Sequence, residues 1–202
     1  MPDIRHIVFD IGRVLIHYDP EIPFRRLIPD DDRRRWFFEN VCTPEWNVEQ
    51  DRGRSWREAE ALLIADHPAE AERIRDFRRS WHEMVPHHYE DSVALLDTLI
   101  DTGHDVTLLT NFAGDTFAEA RERFGFLSRP RGVTVSGEIG VIKPDRAIYD
   151  HHADAYGLEP AATLFIDDSA KNVDGAIDAG WQAVLFTDAE TLKRDLVRLG
   201  VL

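Results

Sequence analysis

His6-Ile7-Val8-Phe9-Asp10-Ile11-Gly12-Arg13-Val14-Leu15 is the stretch on which the reading of this chain turns. Three apolar residues in a row, two of them β-branched or aromatic, describe a strand buried on both faces. The strand delivers a carboxylate, Asp10, at its C-terminal end, and a glycine turn follows. Open α/β sheets present ligand-facing groups in this way, beyond the carboxyl ends of their strands. Three later segments supply what a reactive Asp10 needs: Thr110-Asn111, Lys143-Pro144 and Asp167-Asp168.

The rest of the chain alternates in the same sense. From about residue 87, helical spacing over 91–102 stops at Gly103 and leads into Val106–Leu109, a buried strand. Helix 114–124 precedes a short strand at 133–135. Pro144 opens a helix that runs to Gly157. Leu164–Ile166 is a strand, helix 170–179 ends at Gly180, and 183–186 is the last strand. Repeated strand–helix units imply an α/β fold, a doubly wound parallel sheet with right-handed crossovers. Residues 21–86 differ in character. Ser55-Trp56-Arg57-Glu58 has the form of a capping box. Pro68 suits the start of another helix, in which Ile74, Phe77, Trp81 and Met84 recur at helical spacing. Asp30-Asp31-Asp32 before Arg33-Arg34-Arg35 reads as a salt-bridged helix start, and Trp46-Asn47 with Gln50–Gly53 as a loop that could line a pocket. The expected division is a core of residues 1–20 and 87–202 and a small helical cap, 21–86, inserted after the first strand.

A formal net charge of -14 disfavours nucleic acid and anionic membranes as partners. The single cysteine, Cys42, excludes an intrachain disulfide and fits a reducing compartment. The opening residues lack the apolar core of a signal peptide, and no run approaches a membrane span. The expectation is a cytoplasmic enzyme, monomer or homodimer, acting on a small molecule.

The chemistry expected at the strand ends is phosphate handling. A nucleophilic carboxylate, further carboxylates for a hard cation, a hydroxyl, an amide and a lysine form such a set. Mg²⁺ would screen Asp10 from an incoming phosphate dianion, while Lys143 and Thr110 orient the transferring group. The adjacent pairs His87-His88 and His151-His152 do not suit a metal, because neighbouring residues rarely point at one ion and Mg²⁺ prefers oxygen.

Phe9–Leu15 (FDIGRVL), Leu108–Asn111 (LLTN), Lys143–Tyr149 (KPDRAIY) and Phe165–Ala176 (FIDDSAKNVDGA), in that order, resemble the haloacid dehalogenase (HAD) superfamily. The resemblance is closest to small sugar-phosphate phosphatases with a helical cap. It implies a Mg²⁺-dependent phosphoric monoester hydrolase in which Asp10 forms an aspartyl-phosphate. Asp168 is then a direct Mg²⁺ ligand and Asp167 lies beside it. Thr110, Asn111 and Lys143 hold the phosphoryl oxygens, Asn172 orients Lys143 or the metal carboxylates, and Gly12 lends its backbone carbonyl to the metal. One departure stands out. Most HAD phosphatases carry an acid–base Asp where this chain has Gly12, and such a term is typically worth about 10²–10⁴-fold. A surrogate from the loop (His17 or Asp19) or from the cap is therefore expected. Two other readings remain: a metal-independent 2-haloacid dehalogenase, in which Asp10 attacks carbon, and a catalytically impaired phosphate-binding protein.

Overall fold

β1 spans His6–Phe9 and lies at the centre of a five-stranded, all-parallel sheet. The computed structural model describes residues 3–202. β2 is Asp105–Thr110, β3 Val133–Val135, β4 Thr163–Asp167 and β5 Gln182–Leu185, and the order across the sheet is β3-β2-β1-β4-β5. The chain builds outward from β1 on one side and then crosses to the other, so the strand order reverses at β1. That reversal opens the crevice in which α/β sheets bind ligands. In register, Phe9 faces Leu108 on one side and Ile166 on the other. Asp10, Leu109–Thr110 and Asp167 consequently arrive together at one sheet edge.

β1 is buried on both faces because helices cover both. Ile7 and Phe9 point into a large apolar cluster, and Val8 into a smaller one with Leu109, Phe165, Tyr149 and Trp181. This is the two-residue alternation of a strand. The large cluster runs without interruption from β1 into the helical segment, taking in Phe24, Phe37 and Phe77. Cys42 is buried within it. Among the described residues, no helix is long and apolar enough to cross a membrane.

Within 21–86 the helices are Glu21–Leu27, Asp31–Asn40, Pro44–Asp51, Trp56–Asp66, Ala71–Arg79 and Trp81–Met84. Two expectations are corrected here. Residues 44–51, read as a loop, are a helix: the Thr43 hydroxyl accepts from the Trp46 N–H at 3.2 Å, and Pro44 takes the first position. The helix expected to run from Pro68 through Met84 is broken. A 3₁₀ turn occupies Pro68–Glu70, and Ser80 separates Ala71–Arg79 from Trp81–Met84. Ile74, Phe77, Trp81 and Met84 are all buried across the break, so the apolar spacing survives where the helix does not. The readings of Asp30 and Ser55 as caps hold, since each side chain accepts a hydrogen bond from the N–H three residues on.

His152 pins the helix Arg146–Tyr156 to the sheet. It is fully buried, with Nε2 2.9 Å from Thr107 Oγ1 on β2 and Nδ1 2.7 Å from Thr134 Oγ1 on β3. Burial, helped by nearby His151 and Arg131, pushes its pKa down to about 3. The folded protein then refuses a proton that the unfolded chain accepts below about pH 6.5. Stability must rise with pH between those two values and fall as pH drops through that window. Urea unfolding at pH 6.5 and 5.0 should show wild type losing about 2 kcal/mol through this residue. His152→Gln should remove that share of the slope. An unchanged slope in the variant would show that the ring charges freely in the folded state.

Candidate active site

Lys143 organises the edge of the sheet. Its side chain is almost wholly buried, and its three N–H groups are all engaged. Nζ donates to Asp10 Oδ1 at 2.8 Å, to Asp167 Oδ2 at 2.7 Å and to the Leu109 carbonyl at 3.0 Å. Burial alone would strip its proton, but the two carboxylates outweigh that and raise its pKa. The lysine is held by its own backbone. Asn111 accepts from the Lys143 N–H at 2.8 Å and donates to the Lys143 carbonyl at 3.0 Å. Gly175 permits the close approach of the helix Ala170–Asp178 to the same loop: an added Cβ would lie 2.9 Å from both Pro144 Cβ and its carbonyl oxygen.

Asp10 is buried, its Oδ1 shared between Lys143 and the Ile11 N–H at 2.7 Å. Burial pushes its pKa up to about 7, Lys143 opposes, and Asp167 adds to the rise. Asp167 is fully enclosed. Oδ1 accepts from the Ser169 N–H at 2.8 Å and from Asn172 Nδ2 at 3.0 Å, and Oδ2 from Lys143 and, at 3.1 Å, Asn172. Asp168 is half-buried, its carboxyl raised by burial and by Asp167 and pulled back by Arg13. Carboxylate oxygens of Asp10, Asp167 and Asp168 all lie within 4.8 Å of one another. That donor set is all oxygen, as Mg²⁺ requires. With Asp167 saturated by its four hydrogen bonds, Asp10 and Asp168 are the carboxylates available to an ion. Thr110 Oγ1, at the end of β2, is buried without a hydrogen-bond partner. A buried hydroxyl left unpaired is costly, and an incoming anion would satisfy it.

The sequence candidates thus come together, with their work divided differently from the expectation. The side-chain amide of Asn111 is spent on the Lys143 backbone and does not reach for a phosphoryl oxygen. Asn172 orients Asp167. Lys143 supplies charge to the site through hydrogen bonds that are already saturated.

Beside these groups lies a pocket of about 100 Å³. Ile16, Trp56, Phe77, Trp81, Val85 and Phe112 give it apolar walls, Gly12 and Asn111 connect it to the strand-end loops, and Tyr18, Asn47 and Asp51 add polar groups. A larger cleft of about 670 Å³ shares Tyr18, Asn47, Asp51 and Phe77 and adds Arg13 and Arg35. Asn47 and Asp51 therefore face the pocket as the sequence suggests. Trp46 and Gln50 do not line it. Trp46 packs edge-on to Phe77, and Gln50 is buried on the Trp46 carbonyl and Arg54. The loop surrogates are engaged elsewhere. His17 stacks on His87 and meets the Tyr89 hydroxyl at 3.0 Å, while Asp19 accepts from the Glu21 N–H and from Arg25. Trp56, Trp81 and Phe112 are pocket residues that sequence reasoning missed; their spacing marks them only as apolar.

Comparison with known proteins bears on the same residues. Sesquiterpene phosphatase astK of Aspergillus oryzae is 30% identical over 96 residues, 48% of this chain and 49% of that protein, so the match spans about half of the curated relative. A predicted HAD-like hydrolase from Porphyromonas gingivalis superposes with a TM-score of 0.76 at 24% identity, covering 98% of both chains. L-2-haloacid dehalogenase from Xanthobacter autotrophicus, with chloropropionic acid covalently bound, gives 0.67 at 19% identity over 98% of this chain and 84% of that one. At such identities the structures establish the fold alone. The model of the haloacid dehalogenase-like hydrolases matches residues 4–180, a span that holds the whole sheet-edge constellation. With that match over most of its length, the chain belongs to the haloacid dehalogenase-like hydrolase family.

Proposed function

We propose that the chain is a Mg²⁺-dependent phosphatase that hydrolyses a small phosphate ester through an aspartyl-phosphate on Asp10. The observation that carries this reading is the Lys143 ammonium bridging Asp10 and Asp167, with Asp168 beside them and the unpaired Thr110 hydroxyl at the next strand end. A phosphoryl group needs such a cation, donor and nucleophile within a few ångströms. Asp10, Asp168 and the Gly12 carbonyl would hold Mg²⁺, which when bound screens the nucleophile from the dianionic ester. Asp10 attacks phosphorus, the P–O bond to the alcohol breaks, and water then cleaves the acyl phosphate and restores the carboxylate.

The alcohol portion sits against the pocket. Six apolar or aromatic walls offer few partners for sugar hydroxyls, so an ester of an apolar or aromatic alcohol fits better than the sugar phosphate expected from sequence. The sesquiterpene phosphatase relative points the same way. The test is phosphate release from sugar phosphates, benzyl phosphate and a prenyl phosphate, with Mg²⁺ and with EDTA. Release should depend on Mg²⁺, and the apolar esters should be favoured by roughly tenfold, the worth of one or two well-buried methylenes. Chloride release from 2-chloropropionate that is indifferent to EDTA, with no phosphate from any ester, would replace this reading with the dehalogenase one.

A further inference from the structure

Gly12 leaves this site without a proton donor where the fold would carry one, and the space is open: a Cβ built on Gly12 meets nothing within 4 Å. Of the side chains lining the pocket beside Gly12, Asp51 alone bears a carboxyl. It is the last residue of the helix Pro44–Asp51, whose end is fastened over the Asn111–Ala113 loop. The Ser136 hydroxyl donates to the Asp51 carbonyl at 2.6 Å and accepts from the Phe112 N–H at 3.0 Å. The Ala113 N–H holds the Asp51 carboxyl itself.

Resting on the phosphatase reading, we propose that Asp51 is the general acid–base of the reaction, doing from the helical segment what Gly12 cannot. As the Asp10 oxygen bonds to phosphorus and the ester P–O bond breaks, the Asp51 carboxyl gives its proton to the departing alkoxide. The resulting carboxylate then takes a proton from the water that attacks the aspartyl-phosphate, and Asp10 leaves as carboxylate. Protons and bonds balance over the cycle without a further reactant. Burial supports the role by lifting the Asp51 carboxyl to about 7, against the Ala113 hydrogen bond and the Lys143 charge, so that both protonation states are populated near neutrality.

The alternative is that Asp51 only latches the helix to the Asn111–Ala113 loop. Asp51→Asn keeps an oxygen for the Ala113 N–H and removes the proton, which separates the two roles. Turnover of benzyl phosphate, whose alkoxide needs protonation, should fall by about 10²–10⁴-fold. Turnover of 4-nitrophenyl phosphate, whose phenolate leaves unaided, should fall by less than about tenfold, since only the departing step loses its help. Gly12→Asp added to Asp51→Asn should restore benzyl phosphate turnover at least tenfold. Equal losses on both esters, no loss on either, or no rescue by Gly12→Asp would overturn the proposal. If wild type releases phosphate from neither ester, the phosphatase reading falls and this one with it. If wild type is active and only the ester discrimination fails, the reading stands and Asp51 is a latch.

Discussion

Asp10→Asn is expected to abolish phosphate release, by on the order of 10⁴-fold or more, while the protein stays folded. An amide oxygen is a poor nucleophile, and the departing alcohol has no other acceptor for the phosphoryl group. The geometry makes the change close to isosteric. Oδ1 is held by Lys143 and the Ile11 N–H, and an amide oxygen can accept both bonds. Oδ2 is the oxygen left to attack, and in the variant that position becomes an NH₂ group. Stability should not suffer. The Asp10 carboxyl is raised by burial to about 7, so its favourable protonated state is present at low pH and is lost as pH rises through that value. At pH 8 wild type carries the cost of a buried carboxylate that the variant does not. Thermal unfolding in EDTA at pH 8 should therefore give the variant a Tm at or above wild type. Residual turnover above about 1% of wild type would remove Asp10 from the nucleophile's place, because loss of a covalent nucleophile costs far more than that.

Legibility in the sequence followed the geometry of parallel strands. Asp10, Thr110 and Asp167 could be placed at one edge because each closes a short apolar run, and parallel strands end on the same side. Side-chain direction could not be read. Asn111 follows a strand end like the others, yet it turns to the Lys143 backbone, and nothing in its spacing distinguishes an amide that binds ligand from one that ties a loop. The helical segment hid more. Thr43-Pro44 was a start signal for the helix that carries Asp51, but Trp46, Val48 and the polar residues between them lack an apolar stripe, so a loop was the natural reading. The break at Ser80 was invisible for the opposite reason: Phe77 and Trp81 stay buried at helical spacing on either side of it. Asp51 became visible only when its helix lay against the Asn111–Ala113 loop, an approach of residues about 60 positions apart.

Lys143→Met should damage both stability and chemistry, and the two losses have one cause. The ammonium group satisfies two buried carboxylates and a carbonyl at once, and Met offers none of those donors. Removing one member of a buried ionic cluster typically costs about 3–5 kcal/mol, because the remaining charges stay desolvated without a partner. For a chain of this length that corresponds to a fall in Tm of about 6–20 °C. Asp10, already lifted by burial and by Asp167, loses the group that holds it down, so at pH 7 it is protonated and cannot attack. The sign of the pH dependence identifies the mechanism. In the variant both acids favour their neutral forms in the folded state, so their contribution is greatest at low pH and is lost as pH rises. The Tm deficit against wild type, measured in EDTA, should shrink from pH 8 towards pH 5. A deficit that is constant with pH would mean that the lysine contributes packing alone. Lys143→Arg should not restore the site. A planar guanidinium cannot place donors on three acceptors arranged around a single nitrogen, and its extra bulk has no room in a position that is 2% exposed.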